Sequence, residues 1–229
     1  MRKQQKIWQK EHTVKENIPA MNDTEPSSGV VTFIDYIKKH QLFTPGVAID
    51  IGCGKGRNAV YLARQGYAVE AIDYIDEALA ETRILAKENN VTDKVHIKNV
   101  EIDRPWPFDD ERFDIAIDSF SSIDIETREG RKTYRDEMCR TLKQKGVAFI
   151  QVVSADDELE NQIMQTSPGP EPNSVIWPQN DKFQKNYDET ELREFYKEFK
   201  ILELKKISKP VSKLGKKYTA TNFWIVLQK

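Results

Sequence analysis

The residues whose types and spacing could do chemistry lie in Asp50-Ile-Gly-Cys-Gly-Lys-Gly-Arg-Asn58 and at Asp73. Gly52, Gly54 and Gly56 are three of the chain's ten glycines. Packed this closely, they let backbone N–H groups approach a ligand. The apolar run at residues 47–51 reads as a buried strand. Ala59, Val60, Leu62 and Ala63 after the glycines read as one side of a helix. Strand, glycine turn and helix present backbone donors and a helix N-terminus to a bound group. Residues 67–73 form a second apolar run ending in a carboxylate. An acid about 20 residues beyond a glycine turn is placed to accept ribose hydroxyls. The pairing implies an adenosine-containing cofactor.

The charge before the turn narrows the choice. A dehydrogenase fingerprint is G-x-G-x-x-G after an apolar strand, and its glycines admit an anionic pyrophosphate. Here the spacing is Gly52-x-Gly54-x-Gly56, and Asp50 stands two residues before the first glycine. A carboxylate there opposes an anion. It suits a cationic ligand with an amino group and a sulfonium, namely S-adenosylmethionine. A tight turn with no ligand is the plainer alternative, opposed by the clustered glycines and the two strand-end acids.

Composition bounds the rest. A chain of 229 residues suits one domain with a small cap. Net charge is −2, from 35 basic and 37 acidic residues, so no global field favours nucleic acid or an anionic membrane. No apolar run approaches the roughly 18 residues of a membrane helix. Arg2, Lys3 and Lys6 have no apolar stretch behind them, which argues against a secretory signal and for the cytoplasm. Two cysteines, Cys53 and Cys139, make no disulfide framework. Three dispersed histidines show no metal-ligand spacing, so no metal is expected.

The elements that must position these residues alternate between strand and helix. Residues 1–28 read as a mobile, partly helical N-terminal cap, with Trp8 isolated among charges. A helix capped at Ser27-Ser28 precedes strands at 47–51, 67–72, 94–100, 113–118 and 147–153. Helices are expected at 57–65, from an Asp76 cap to 89–90, and at 126–143. This βα alternation implies a parallel sheet covered on both faces. Residues 154–187, rich in proline, read as an irregular lid-like insertion at the ligand-binding edge. A helix at 188–198, capped by Asp188 with Glu191 three residues on, leads to strands near 200–208 and 217–227. Lys205, Lys206, Lys209, Lys213, Lys216 and Lys217 between and beside them read as a solvated hairpin.

The acid followed by G-x-G-x-G resembles motif I of class I S-adenosylmethionine-dependent methyltransferases, and the resemblance covers about residues 30–228. It implies a Rossmann-like α/β three-layer sandwich with a seven-stranded, mostly parallel sheet whose last strand is antiparallel. The cap would be 1–28 and the methyltransferase domain 29–229. Gly54-Lys-Gly-Arg-Asn-Ala-Val-Tyr-Leu-Ala63 and Tyr187-Asp-Glu-Thr-Glu-Leu-Arg-Glu-Phe-Tyr196 are similar to the tellurite-resistance group. Arg131-Lys-Thr-Tyr134 resembles a motif of the thiopurine group.

The resemblance assigns roles. The backbone of Gly52, Cys53, Gly54 and Gly56, with Asn58 at the helix start, would lie against the cofactor's methionine part. Asp50 would help hold its amino group. Asp73 would accept both ribose hydroxyls, since a carboxylate offers several acceptor sites. Tyr74 would lie against adenine, with Ile102 and Glu101 contacting it as well, Asp103 competing for the last role. Asp118, Ser119 and Phe120 would end a strand above the sulfonium. Asp118, Tyr36 and Tyr187 are candidate general bases, and Trp8, Trp106 and Trp177 candidate walls of an apolar pocket. The expected reaction is in-line methyl transfer to a small-molecule acceptor by a monomer or homodimer. Alternatives are a protein or RNA substrate, a non-catalytic methyltransferase-like partner subunit, and a dehydrogenase.

Overall fold

The computed structural model describes residues 3–13, 23–43, 45–213 and 215–229. Helix α1 (Lys3–Thr13) and helix α2 (Ser28–Lys39) precede the sheet. Then come β1 (Val47–Ile51), α3 (Arg57–Arg64), β2 (Ala68–Asp73), α4 (Asp76–Glu88), β3 (Val95–Asn99) and β4 (Phe113–Ser119). A short 3-10 turn (Ser122–Asp124) leads to α5 (Arg128–Thr141) and β5 (Leu142–Val153). The chain continues through α6 (Glu158–Thr166), β6 (Ser174–Trp177), β7 (Lys182–Lys185), α7 (Glu189–Phe195), β8 (Lys200–Lys213) and β9 (Lys216–Gln228).

Seven strands form one sheet in the order β3-β2-β1-β4-β5-β9-β8. The pairs among β1 to β5 are parallel. Only β9 runs against its neighbours β5 and β8. Order reverses at β1, with β2 on one side and β4 on the other. Such a switch point opens a crevice at the carboxyl ends of the strands. One face is covered by α2, α3 and α4, whose Phe33, Ile34, Leu62 and Leu79 are buried against the sheet. The other carries α5 and α7 through Tyr134, Met138 and Leu192, joined by Trp106 and Phe108. Because both faces are covered, the central strands are apolar without alternation.

Local sequence explains most boundaries. Ser27 caps α2 by accepting from Val30 N–H, and Asp188 caps α7 by accepting from Glu191 N–H. Asp76 is instead the first residue of α4, with Ile75 at the cap position, and its carboxylate accepts from Asn99. The stretch 154–187 is not irregular as its prolines suggested. It holds α6 and the antiparallel β6–β7 pair, anchored by Asp157, which caps α6 and accepts from Thr221 N–H on β9. Prolines there flank the elements rather than interrupt them. The two final strands are also longer than their sequence pattern, extending as a ribbon to Lys213 and from Lys216.

Phe149 lies at the centre of the first face, stacked with Phe33 at 5.5 Å and tilted against Trp224 at 5.7 Å. Its side chain is fully buried. Phe149→Ala removes a ring that no neighbour can replace. It should lower unfolding free energy by about 3–5 kcal/mol in urea titration.

Candidate cofactor and acceptor site

One cavity of about 600 Å³ opens over the carboxyl ends of β1, β2 and β4. Of the residues singled out by sequence, Gly52, Cys53, Gly54, Asn58, Asp73, Tyr74, Ile102, Ser119 and Phe120 line it. Asp50, Gly56, Glu101 and Asp118 do not. The turn itself is set by backbone. Gly52 has φ +67°, and a Cβ there would lie 2.3 Å from Ser121 Oγ. Gly56 is the N-cap of α3 at φ +82°, where a Cβ would lie 2.4 Å from Thr82. Between them Gly54 faces open space, with only a His12 ring carbon near, 3.8 Å from where a Cβ would stand. That open stretch of backbone is the cradle.

Asp73 holds the cradle shut. Its Oδ2 accepts from Gly54 N–H at 2.9 Å and its Oδ1 from Ile75 N–H at 3.0 Å. Each oxygen keeps a further lone pair for the cavity it lines. Burial raises its carboxyl above the usual aspartate range, against those backbone donors. Cys53 N–H donates to Ile72 O, tying loop to β2, and burial pushes its thiol well up. Asn58 Oδ1 accepts from Ser27 N–H, which locks α3 to the start of α2.

Asp50 lies beneath the loop, 2% exposed. It accepts from Ala59 N–H, while its Oδ2 is buried with no partner. Burial, then the nearby Asp73 and Asp118, lift its carboxyl to about 7. Three carboxyl groups therefore share one low-dielectric region under the glycine turn. A cation above them would relieve the repulsion, and a diphosphate would add to it. The orphaned oxygen also calls for a donor. Both observations fit a ligand with an ammonium group and a positive centre.

Asp118 is fully buried and belongs to the scaffold. Its oxygens accept from Ser121 N–H at 2.7 Å, from Ser122 N–H and from Tyr134 Oη at 2.7 Å. It holds the 3-10 turn and has no access to the cavity, which removes it as the candidate base. Glu101 faces outward beside Arg104 at 3.6 Å, and Asp103 takes its place in the lining. Tyr36 packs on Trp224 and His40, and Tyr187 is buried against Phe195. Neither tyrosine lines the cavity. Of the tryptophans, Trp8 lines it, Trp106 is core, and Trp177 packs beside α6.

Sequence reasoning named the cap and Trp8 but missed Gln4 and His12 beside it. Gln4, Trp8 and His12 line the cavity from one side of α1, at helical spacing. The Gln4 amide donates to Phe183 O at 3.0 Å and Asp124 O at 3.3 Å, and accepts from Phe183 N–H. Lys182 and Gln184 of β7, Asp124, Asp157, and Lys209 and Val211 of β8 complete the walls. The four-residue spacing Gln4-Trp8-His12 was a visible signal, hidden by the polarity around it. Phe120, at φ +72°, is turned into the cavity with its N–H bonded to Gln151 O. Among the described residues no group of three or more His, Cys, Asp or Glu could hold a metal ion.

Residues 48–146 match a family model described as a methyltransferase domain. The matched stretch runs from β1 into β5 and is similar to a methyltransferase domain. A ubiquinone biosynthesis O-methyltransferase from Xylella fastidiosa is 34% identical over 79 residues, 33% of this chain and 32% of that one. The first curated relatives are thus spanned over half of their length or less, 47% for a Haemophilus influenzae protein. The fold is shared with a Methanosarcina mazei S-adenosylmethionine-dependent methyltransferase at TM-score 0.72, 22% identity, and 84% and 96% coverage of this chain and that one. It is also shared with TehB of Haemophilus influenzae at TM-score 0.64, 20% identity, and 85% and 61% coverage. A third neighbour is a Burkholderia thailandensis 1,6-didemethyltoxoflavin-N1-methyltransferase solved with its acceptor and S-adenosylhomocysteine. It has TM-score 0.67, 16% identity, and coverage of 98% and 88%.

Two outcomes follow from this geometry. Asp73→Ala should weaken S-adenosylhomocysteine binding by about 1–3 kcal/mol in isothermal titration, the cost of unpaired buried groups. Unchanged affinity would place the ribose elsewhere. Asp50 gives a pH dependence of defined sign. A carboxyl with its folded pKa above the unfolded value binds protons more tightly when folded. The Asp50 contribution to ligand-free stability therefore grows as pH falls from about 7 toward 3.8 and fades as pH rises. A ligand bearing an ammonium favours the ionised form. Binding below about pH 7 should release protons, read as a dependence of the titration heat on buffer ionisation enthalpy.

Proposed function

We propose that this protein transfers a methyl group from S-adenosylmethionine to a small-molecule nucleophile, in the cytoplasm, as a monomer or homodimer. The observation that carries the cofactor reading is the trio Asp50, Asp73 and Asp118 buried around one glycine turn. Its repulsion favours a positively charged amino-acid nucleoside over a dinucleotide. The acceptor reading rests on the roof. With α1 on one side and the insertion at 154–187 on the other, the cavity suits a compact molecule better than a polymer. The cap at 1–28 and the insertion are read as the cover of the site, with residues 1–2 and 14–22 outside the described residues. Small-molecule methyltransferases among the fold neighbours support the same reading.

S-adenosylmethionine, when bound, supplies a methyl group activated by a positive sulfur. The chain's own residues would do the rest. The Gly52–Gly56 backbone and Asp50 would orient the amino-acid end, and Asp73 the ribose. Tyr74, Ile102 and Asp103 would border the adenine. Phe120 and Trp8 would exclude water beside the acceptor. Holding the reacting atoms in line can supply roughly 7–11 kcal/mol of the barrier.

Two measurements test this. Isothermal titration should show S-adenosylhomocysteine binding and no nicotinamide cofactor binding; the reverse would make the protein a dehydrogenase. Labelled S-adenosylmethionine in a cell extract should yield a labelled product of low mass. Retained label after nuclease and protease treatment supports a small acceptor, and its loss identifies a polymer substrate.

A further inference from the structure

With Asp118 buried in the scaffold, the cavity still holds several acids, and their hydrogen bonds sort them. Asp157 is consumed by Leu159, Glu160 and Thr221 N–H groups. Asp73 holds the cradle. Asp23 lies at the rim beside Arg57, and Glu126 is exposed. Asp124 differs from all of these. It ends the 3-10 turn that follows β4 and lines the cavity, and its Oδ1 is buried with no hydrogen-bond partner. Its backbone is engaged, the N–H by Ser121 O and the carbonyl by the Gln4 amide from the roof. The same cavity is lined by Trp8, Phe120, Ile123 and Ile125, apolar walls that suit a flat ring.

We propose that Asp124 is the general base of the transfer and that the acceptor is a compact conjugated molecule with an acidic O–H or ring N–H. The proposal rests on the small-molecule methyltransferase reading above. The step balances simply. The Asp124 carboxylate takes the acceptor's proton, the freed pair on the oxygen or nitrogen forms the bond to the methyl carbon, and the carbon–sulfur pair passes to sulfur. The proton later leaves Asp124 for solvent.

The surroundings tune Asp124 for this. Burial raises its carboxyl to about 7, with Lys182 of β7 opposing and Asp118 of β4 and Glu160 of α6 adding to the rise. The Tyr74 hydroxyl, after β2, also lies within its field. A base with proton affinity near neutrality matches phenols, enols and heterocyclic N–H groups. It is too weak for an aliphatic alcohol and superfluous for a soft sulfide or selenide anion. His12, whose Nδ1 is also buried without a hydrogen bond, is held down to about 4 by burial and Lys55. It sits beside Gly54 and has little affinity for a proton.

Asp124→Asn is the natural variant, because it preserves shape and leaves the backbone contact to Gln4 intact. The probe is methyl-labelled S-adenosylmethionine with a protein-free, nuclease-treated low-mass extract. Asp124→Asn should keep its melting temperature and its S-adenosylhomocysteine affinity within about twofold. Labelled product should fall by roughly 10²–10⁴-fold, with partial recovery in Asp124→Glu. Independently of turnover, the carboxyl ¹³C resonance lost in Asp124→Asn should titrate near 7 in the ligand-free protein. Wild-type turnover in Asp124→Asn, a resonance titrating in the ordinary aspartate range, or a methylated sulfide or selenide as product would each overturn the assignment. A wild-type protein that binds S-adenosylhomocysteine but labels nothing of low mass would overturn the small-molecule reading itself, and this proposal with it.

Discussion

The structure is organised around a repulsion. Asp50, Asp73 and Asp118 stand at the carboxyl ends of three adjacent parallel strands, all nearly or fully buried. Isolated carboxylates in such a place are costly, so each must be neutralised, hydrogen-bonded or faced by a cation. The chain satisfies two of them from within. Asp73 takes the Gly54 and Ile75 N–H groups, and Asp118 takes the 3-10 turn and the Tyr134 hydroxyl. Asp50 is left with one oxygen unmet. Glycine at 52 and 56 follows from the same constraint. The loop must double back over the acids so tightly that Ser121 and Thr82 occupy the space of a side chain.

How much of this the sequence disclosed depended on the range of the interactions. The βα rhythm follows from local apolar runs and short turns, while the seven-stranded sheet with its antiparallel last strand came with the family resemblance, and the structure agrees with both. Nine of the cavity-lining residues named from sequence sit at the strand ends or in the short turns and helix start that follow them, where backbone direction dictates position. Glu101 and Asp103 show the limit. Two positions separate the acid that lines the cavity from the one that does not, and strand periodicity has already ended there. Asp118 shows another. Its partner Tyr134 lies on the next helix, and no local pattern marks that bond.

The roof was least legible because polar contacts hold it. Helix α1 has no apolar stripe and buries only Gln4. Its attachment uses main-chain atoms of β7 and the 3-10 turn, which any residue types could supply. The insertion carried misleading punctuation. Pro168, Pro170 and Pro172 suggested an irregular stretch, yet Pro168 bridges to Val175 and Lys185 donates to Pro172 O, so the prolines flank a folded hairpin.

The backbone at Phe120 has a wider implication. An aromatic residue in the left-handed region costs of order 1–3 kcal/mol, which glycine would avoid. The residue nevertheless presents its ring to the cavity from the end of β4, held by Gln151. A sequence tuned for robustness alone would place glycine at this corner. Thermal resilience and the shape of the binding space are therefore in tension at one position. Efforts to harden this protein by relaxing its strained corners would erode its selectivity there first.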